Sequence, residues 1–97
     1  MIVRLVTMNF QPEKVDMFLS VFEEYKEQIK SANGCTRLQL IQDKNNPSQI
    51  STLSEWEDEE SLNNYRNSDT FKKVWPLTKL LFNGKPHAVS YSLLVTV

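Results

Sequence analysis

The stretch SEWEDEESLNNYRNSDTFKKVWPLTKLLF, residues 54–82, decides the fold of this chain. The acidic run Glu57–Glu60 suits the positive end of a helix, and Ser68-Asp69 has the character of a cap between two helices. The stretch therefore predicts two successive helices that cover one sheet, with any ligand pocket beneath them. Its apolar and aromatic residues recur at intervals of three, four and six or seven, which is helical spacing: Leu62, Tyr65, Phe71, Val74, Trp75, Leu81 and Phe82.

The residues before this stretch predict a strand, a long helix and a hairpin. Ile2–Phe10 is rich in β-branched and large apolar residues, as strands are. From Pro12 onward, apolar residues recur every three or four positions, and this pattern ends at Asn33-Gly34, a pair typical of a left-handed helix cap. Cys35–Gln42 and Gln49–Glu57 read as two strands, and the turn-forming residues between them predict an antiparallel pairing.

Two prolines mark the second half of the chain. Pro76 falls inside the second predicted helix, where it donates no backbone hydrogen bond and its ring clashes with the carbonyl of Lys72. We therefore expect a kink or a fresh helical start at Pro76. Gly84 closes the helical region, and the apolar segment Pro86–Val97 predicts the last strand.

The order of these elements predicts an α+β fold. Strand, helix, strand, strand, helices and strand fold most simply as a ferredoxin-like βαββαβ unit, in which a four-stranded antiparallel sheet carries its helices on one face. A chain of 97 residues rarely divides, so we expect residues 1–97 to form a single domain.

The predicted sheet has more apolar surface than its helices can cover. Both faces of the first and last strands carry large apolar residues, and a monomer would leave one of these faces in water. We therefore expect a homodimer in which the two sheets pack face to face. The apolar residues concerned are Ile2, Val6 and Met8 against Val3 and Leu5, and Val89, Tyr91, Leu93 and Val95 against Ala88 and Leu94.

Composition and motifs exclude several classes of function. Eleven basic and 12 acidic residues give no charge signature for nucleic acid or anionic lipid, and the third strand lacks the aromatic and basic character of RNA-recognition modules. No segment is apolar enough to span a membrane or to act as a signal peptide, and a single cysteine fits a reducing compartment, so we expect a cytoplasmic protein. One histidine, one cysteine and two glycines predict no metal site, phosphate loop or dinucleotide motif.

Three segments together resemble a known family. Gly34-Cys35, the run Glu55–Leu62 and the run Tyr65–Phe71 are similar to the pattern of the antibiotic biosynthesis monooxygenase domain. The resemblance implies the dimeric α+β barrel fold. Similar domains include cofactor-independent quinol and anthrone oxygenases, haem-degrading enzymes and isomerases, so the resemblance implies the fold more narrowly than the reaction.

The chain departs from the pattern of that family at positions that carry chemistry. Many members have histidine where this chain has Tyr65 and Thr70. The haem-degrading members that resemble it place a ligating histidine within the segment that here reads Lys72–Trp75, which contains none. We therefore expect no bound haem, and no other cofactor.

Six residues are candidates for a site. Tyr65 and Trp75 would line a pocket for a flat aromatic ligand, although aromatic residues at helical spacing are also typical of a core. Phe71 would help Trp75 to hold the ring, and Tyr65 would hydrogen-bond an oxygen of the ligand. His87 or a bound water would accept a proton, since histidine is the usual proton-transfer residue near neutral pH. Arg66 and Asn9 are further polar candidates for ligand binding.

These residues and the resemblance together favour a cofactor-independent monooxygenase that acts on an electron-rich aromatic molecule, such as a hydroquinone or an anthrone. Two alternatives stay open at this point. The domain is a non-catalytic binder or sensor of small apolar molecules, which the missing histidines favour, or it is an isomerase.

Overall fold

The computed structural model describes residues Met1–Val97 and contains the elements that the sequence predicts, in the predicted order. A short 3-10 helix, Pro12–Lys14, leads into the first α-helix, and Pro12 occupies its first position, where a missing backbone donor costs little. The elements are β1 (Ile2–Asn9), α1 (Val15–Lys30), β2 (Cys35–Gln42), β3 (Gln49–Trp56), α2 (Glu59–Arg66), α3 (Asp69–Lys79) and β4 (His87–Ser92).

The four strands form one antiparallel sheet in the order β2-β3-β1-β4. This is the ferredoxin-like arrangement, so the predicted fold class is confirmed. Central strand β1 pairs with both β3 and β4, and its Arg4 lies opposite Ser54 on one side and Ser90 on the other. All three helices lie on one face, here called the helix face of the sheet; the other, which includes Val3 and Leu5, is called the open face.

The core between the helices and the sheet consists of two clusters of buried apolar residues. The larger one joins β1, α1 and β3, and Phe10 stacks on Phe18 with ring centroids 4.2 Å apart. The smaller one joins the other end of the sheet to α2 and contains Cys35, Trp56 and Leu62. Trp75 of α3 packs against the larger cluster and Tyr65 of α2 against the smaller one.

The connection into β2 requires a glycine. Gly34 has φ +85°, in the left-handed region that glycine adopts readily, which agrees with the predicted cap after α1. A Cβ at this position would also collide with the side chain of Ser61, at the start of α2. The carbonyl of Gly34 accepts a hydrogen bond from the backbone N–H of Glu57 at 2.8 Å. Gly34 therefore brings the end of α1 against the start of α2.

Side chains cap both helices of the deciding stretch. The Asp58 carboxylate accepts a hydrogen bond from the backbone N–H of Ser61 at 2.8 Å, which begins α2. The Ser68 hydroxyl accepts from the N–H of Phe71 at 3.2 Å and donates to the carbonyl of Tyr65 at 2.6 Å. Ser68 therefore begins α3 and at the same time ties it to the end of α2, as the cap predicted at Ser68-Asp69 requires.

The two larger differences from the prediction fall in the second half of the chain. Helix α3 continues through Pro76, so a fresh helical start there is wrong: the Ser68 cap and the packing of Phe71 and Trp75 outweigh the missing backbone donor. The last strand ends at Ser92 and not at Val97. Its only partner is β1, which pairs from Ile2 onward, so the residues after Ser92 have no strand beside them. No helix in the chain combines the length and the hydrophobicity needed to cross a membrane.

Candidate functional site

A cavity of about 240 Å³ lies between the helix face of the sheet and the three helices. This volume is slightly below the roughly 300–1,000 Å³ of sites for drug-sized ligands, so the cavity suits one small molecule. It lies beneath the two helices of the deciding stretch, as the sequence predicts. The sheet contributes Arg4, Val6, Met8, Leu38, Thr52, Ser54, Trp56 and Ala88, and the helices contribute Phe18, Phe22, Ile29, Leu62, Tyr65, Arg66, Phe71, Val74, Trp75 and Thr78.

A continuous row of aromatic rings forms one wall of the cavity. Trp56 stacks on Tyr65 with centroids 5.1 Å apart, and Tyr65 meets the edge of Phe71 at 5.4 Å. Phe71 in turn stacks on Trp75 at 5.8 Å, with an angle of 13° between the rings. The two successive helices therefore bring three of the predicted site residues, Tyr65, Phe71 and Trp75, together along one surface.

The burial of these rings separates pocket residues from core residues. Trp56 is 1% exposed, and its indole N–H donates to the hydroxyl of Ser54 at 2.9 Å, so it is a satisfied core residue that reaches the cavity. Tyr65, Phe71 and Trp75 are only partly buried and line the cavity. A flat ligand in the cavity would therefore meet aromatic faces that the core has not fully used.

Tyr65 is a phenol in an apolar setting. Burial raises the pKa of Tyr65 to about 12, with a smaller contribution from the neighbouring Cys35. The phenol is therefore neutral at physiological pH and acts as a hydrogen-bond donor and not as a base. Tyr65 also lines a second, polar cavity, to which the end of α1 contributes Gln28 and the start of α3 contributes Thr70.

Two arginines line the same cavity as the aromatic row. Arg4 is half-buried on β1, and its Nη1 donates to the hydroxyl of Ser90 at 2.9 Å. Arg66 is the last residue of α2 and is exposed. Burial and, to a smaller degree, the charge of Arg66 lower the pKa of Arg4. The cavity therefore holds two positive charges near each other, and no aspartate, glutamate or histidine lines it.

Arg4 was not among the residues singled out from the sequence, although a signal for it exists. Residues Ile2, Arg4, Val6 and Met8 alternate along β1 and so share one face of the sheet. A charged residue in an otherwise apolar inward-facing row is unusual unless it serves a partner or a site. The alternation therefore identifies Arg4 once the inward face of β1 is known.

The structure does not bring His87 and Asn9 to the cavity. Ala88 lines the cavity, and because side chains alternate along a strand, His87 lies on the open face, where it is exposed. Asn9 follows the cavity residue Met8 and likewise belongs to the open face, where its side-chain oxygen accepts from the amide of Gln49 at 3.2 Å. Four of the six predicted site residues therefore line the cavity: Tyr65, Arg66, Phe71 and Trp75.

Neither the thiol nor the acidic residues form a reactive group or a metal site. Cys35 is buried, and burial raises the pKa of its thiol, which donates to the carbonyl of Arg37 at 3.6 Å. No three or more histidine, cysteine, aspartate or glutamate side chains lie close enough together to hold a metal ion. The chemistry available in the cavity is therefore aromatic stacking, donation from one phenol and the positive charge of two guanidinium groups.

Comparisons with known proteins agree with this architecture. The family model described as antibiotic biosynthesis monooxygenase matches residues 1–75. The chain is similar to a conserved protein from Methanosarcina mazei Go1, with 30% identity, a TM-score of 0.87, and coverage of 93% of this chain and 90% of that one. No curated protein matches the chain.

Two further structures share the fold at lower identity. An antibiotic biosynthesis monooxygenase is 20% identical with a TM-score of 0.91, and the match covers 98% of this chain and 100% of the other. A candidate antibiotic biosynthesis monooxygenase from Caulobacter crescentus CB15 is 22% identical with a TM-score of 0.91, over 97% of this chain and 90% of that one. At such identities the likeness establishes the fold alone.

Proposed function

The chain belongs to the antibiotic biosynthesis monooxygenase family, and we propose that it oxidises a small electron-rich aromatic molecule of the quinol or anthrone type without a bound cofactor. The observation that carries the proposal is the cavity beneath α2 and α3. It combines a row of partly buried aromatic rings with a neutral phenol and two positive charges. Such groups can bind an aromatic ring and favour its anionic form.

The reaction uses electrons that the substrate itself supplies. Once deprotonated, an anthrone or a quinol reduces dioxygen, so one oxygen atom enters the product and the other leaves as water. For an anthrone, the methylene carbon loses two hydrogens and becomes a carbonyl, and these two hydrogens form that water. The protein has to bind the ring, favour its anionic form and exclude bulk water.

The residues of the cavity fit these tasks. Trp75 and Phe71, whose rings are nearly parallel, would hold the aromatic substrate. Tyr65 would donate its O–H to the oxygen that becomes negative, because the raised pKa keeps this phenol protonated. The positive charges of Arg4 and Arg66 would lower the pKa of the bound substrate and so favour its deprotonation.

The proton removed from the substrate goes to water in this proposal. His87 was the other candidate acceptor, and its place on the open face separates it from the cavity of its own chain by the sheet. None of the side chains that line the cavity is a base at neutral pH. Since the two guanidinium groups favour the anion, a water molecule at the mouth of the cavity suffices as the acceptor.

A second candidate function has its own supporting observation. Because no general base lines the cavity, the domain would also serve as a binder or sensor of aromatic molecules without turnover. An aerobic screen of quinols, anthrones and flavonols, followed by chromatography of the products, decides between the two functions. We expect consumption faster than in buffer; thermal stabilisation by these compounds without any product would instead support the binder.

We also propose that the chain pairs with a second copy through the open face. Three large apolar residues on this face are about half exposed: Ile41 at 48%, Val89 at 43% and Tyr91 at 51%. The apolar segment 93–97 that follows β4 is exposed as well. Apolar surface of this extent is typical of a protein–protein interface, and family membership favours a dimer with facing sheets.

A further inference from the structure

The charge of the cavity is not balanced within the chain. The protein carries 12 acidic and 11 basic residues, so acidic partners are abundant overall. The ion pairs of the structure are Lys26 with Glu23 on α1 and Arg37 with Glu55 at the sheet edge. Neither Arg4 nor Arg66 takes part in one, and the one side-chain acceptor bonded to Arg4 is the neutral hydroxyl of Ser90.

This arrangement costs free energy when the cavity is empty. Two like charges that share a cavity repel each other, and the half-buried Arg4 has lost part of its hydration. An anion placed between the two groups would relieve both effects. A carboxylate matches the planar fork of a guanidinium group particularly well, since it accepts two parallel N–H bonds.

The aromatic row limits what else the anion carries. Apart from Arg4, Arg66 and a few hydroxyl groups, the side chains that line the cavity are apolar or aromatic, and they include the partly buried rings of Phe71 and Trp75. An inorganic anion would leave these rings without a ligand to contact. We propose that the ligand of this cavity is an aromatic carboxylate, with its ring against Phe71 and Trp75 and its carboxylate held by Arg4 and Arg66.

This inference rests on the proposed function for the choice of the cavity as the substrate site, and it narrows the substrate to an electron-rich aromatic acid. The carboxylate would fix the orientation of the ring relative to Tyr65. The carboxylate preference and the proposed oxidation can be tested separately, because carboxylate binding is measured with a molecule that the protein cannot oxidise.

The test compares two probes that differ in charge and share one ring system, 2-naphthoate and 2-naphthamide. Quenching of tryptophan fluorescence reports binding, since both Trp56 and Trp75 line the cavity. We expect the naphthoate to bind at least about tenfold more tightly than the amide, because one charge-assisted hydrogen bond contributes about that factor to the affinity. Raising the salt concentration should weaken only the naphthoate, because screening acts on its charge.

Variants locate the preference for the carboxylate. Arg4→Gln should weaken naphthoate binding by about tenfold, and Arg66→Gln by roughly threefold because Arg66 is more exposed; neither should change the amide. Arg66→Glu should lower the ratio of naphthoate affinity to naphthamide affinity further than Arg66→Gln does. Lys72→Gln is the matched control: Lys72 is exposed on α3 and does not line the cavity, so its removal should leave both affinities unchanged.

Circular dichroism verifies that each variant is folded, and the exposed Arg66 offers a variant that leaves the core intact if Arg4→Gln does not fold. Equal affinity of the two probes for the wild type would overturn the proposal. So would a preference that is as large in the folded arginine variants as in the wild type, or the absence of naphthoate binding at millimolar concentration.

Discussion

At the scale of single residues, Tyr65 has the most specific role in the proposed reaction. Its phenol lies in the aromatic row between Trp56 and Phe71, and its raised pKa keeps the hydroxyl a donor. Tyr65→Phe removes this donor and conserves the ring. Since one preorganised donor to a developing oxyanion is typically worth 10²–10³ in kcat, we expect a loss of about that size, measured as steady-state oxygen consumption on an oxidised substrate.

Trp75→Ala is the control for that experiment. Trp75 would hold the ring and touch no reacting atom, so its removal should chiefly raise KM and change kcat less. If both variants keep wild-type turnover, the residues assigned to the site are wrong even though the reaction class stands.

The raised pKa of Tyr65 predicts how the free energy of unfolding depends on pH. The phenol of Tyr65 is held protonated by folding up to about pH 12, whereas in the unfolded chain it ionises near its ordinary pKa of 10. Its contribution is therefore fully present below pH 10 and is lost as the pH rises from 10 to 12. The full difference amounts to about 2–3 kcal/mol in the free energy of unfolding.

Urea unfolding at pH 9 and pH 11.5 measures this effect. Wild type should lose more stability between the two values than Tyr65→Phe, which has no phenol to ionise, and the difference between the two proteins isolates Tyr65 from the other groups that titrate in this range. An identical loss in both proteins would show that Tyr65 is more solvated than its burial indicates.

Residue-level features of the site were only partly predictable from the sequence. Helical spacing fixes the face on which a residue lies, and it predicted that one surface would hold Tyr65, Phe71 and Trp75. The place of His87 was not predictable, because both faces of the last strand carry apolar residues and the alternation leaves open which one turns inward. Arg4 was predictable in principle from the inward row of β1.

At the scale of elements, the junction between α1, β2 and α2 depends on Gly34. Gly34→Ala combines backbone strain with a collision against Ser61, whereas Gly84→Ala, at φ +120°, meets nothing within 4 Å. We expect Gly84→Ala to destabilise by about 1 kcal/mol from strain alone and Gly34→Ala by about 2–4 kcal/mol. Thermal or urea unfolding measures both, and equal losses would mean that the Ser61 contact relaxes without cost.

The elements themselves were largely predictable, since their order and periodicity follow from local patterns. Gln49–Glu57 as predicted and Gln49–Trp56 as observed differ by a single residue. The two larger differences depend on tertiary structure. Packing and a capped start carry α3 through Pro76, and β4 ends at Ser92 because its partner strand pairs no further. The cap at Ser68 is visible in the local sequence, but the packing of α3 and the end of the partner strand are not.

At the scale of the whole molecule, the open face predicts self-association. A stable dimer through this face should bury more than about 2,000 Å² in total, as obligate interfaces commonly do. Wild type should therefore sediment as a dimer at micromolar concentration. Val89→Asp, which places a charge on the open face, should shift it toward monomer.

Met17→Asp is the control for that experiment. Met17 is 51% exposed on α1 and so lies away from the open face, and its replacement should leave the dimer intact. A well-folded wild-type monomer at micromolar concentration would contradict the proposed pairing.

Isotopically labelled dioxygen shows whether the protein carries out monooxygenation of an aromatic substrate. A quinol or anthrone that the screen shows to be consumed is incubated with the protein under ¹⁸O₂, and the product is analysed by mass spectrometry. We expect one labelled oxygen atom in each product molecule and the second in water. Oxidation that proceeds with no label in the product would rule out monooxygenation.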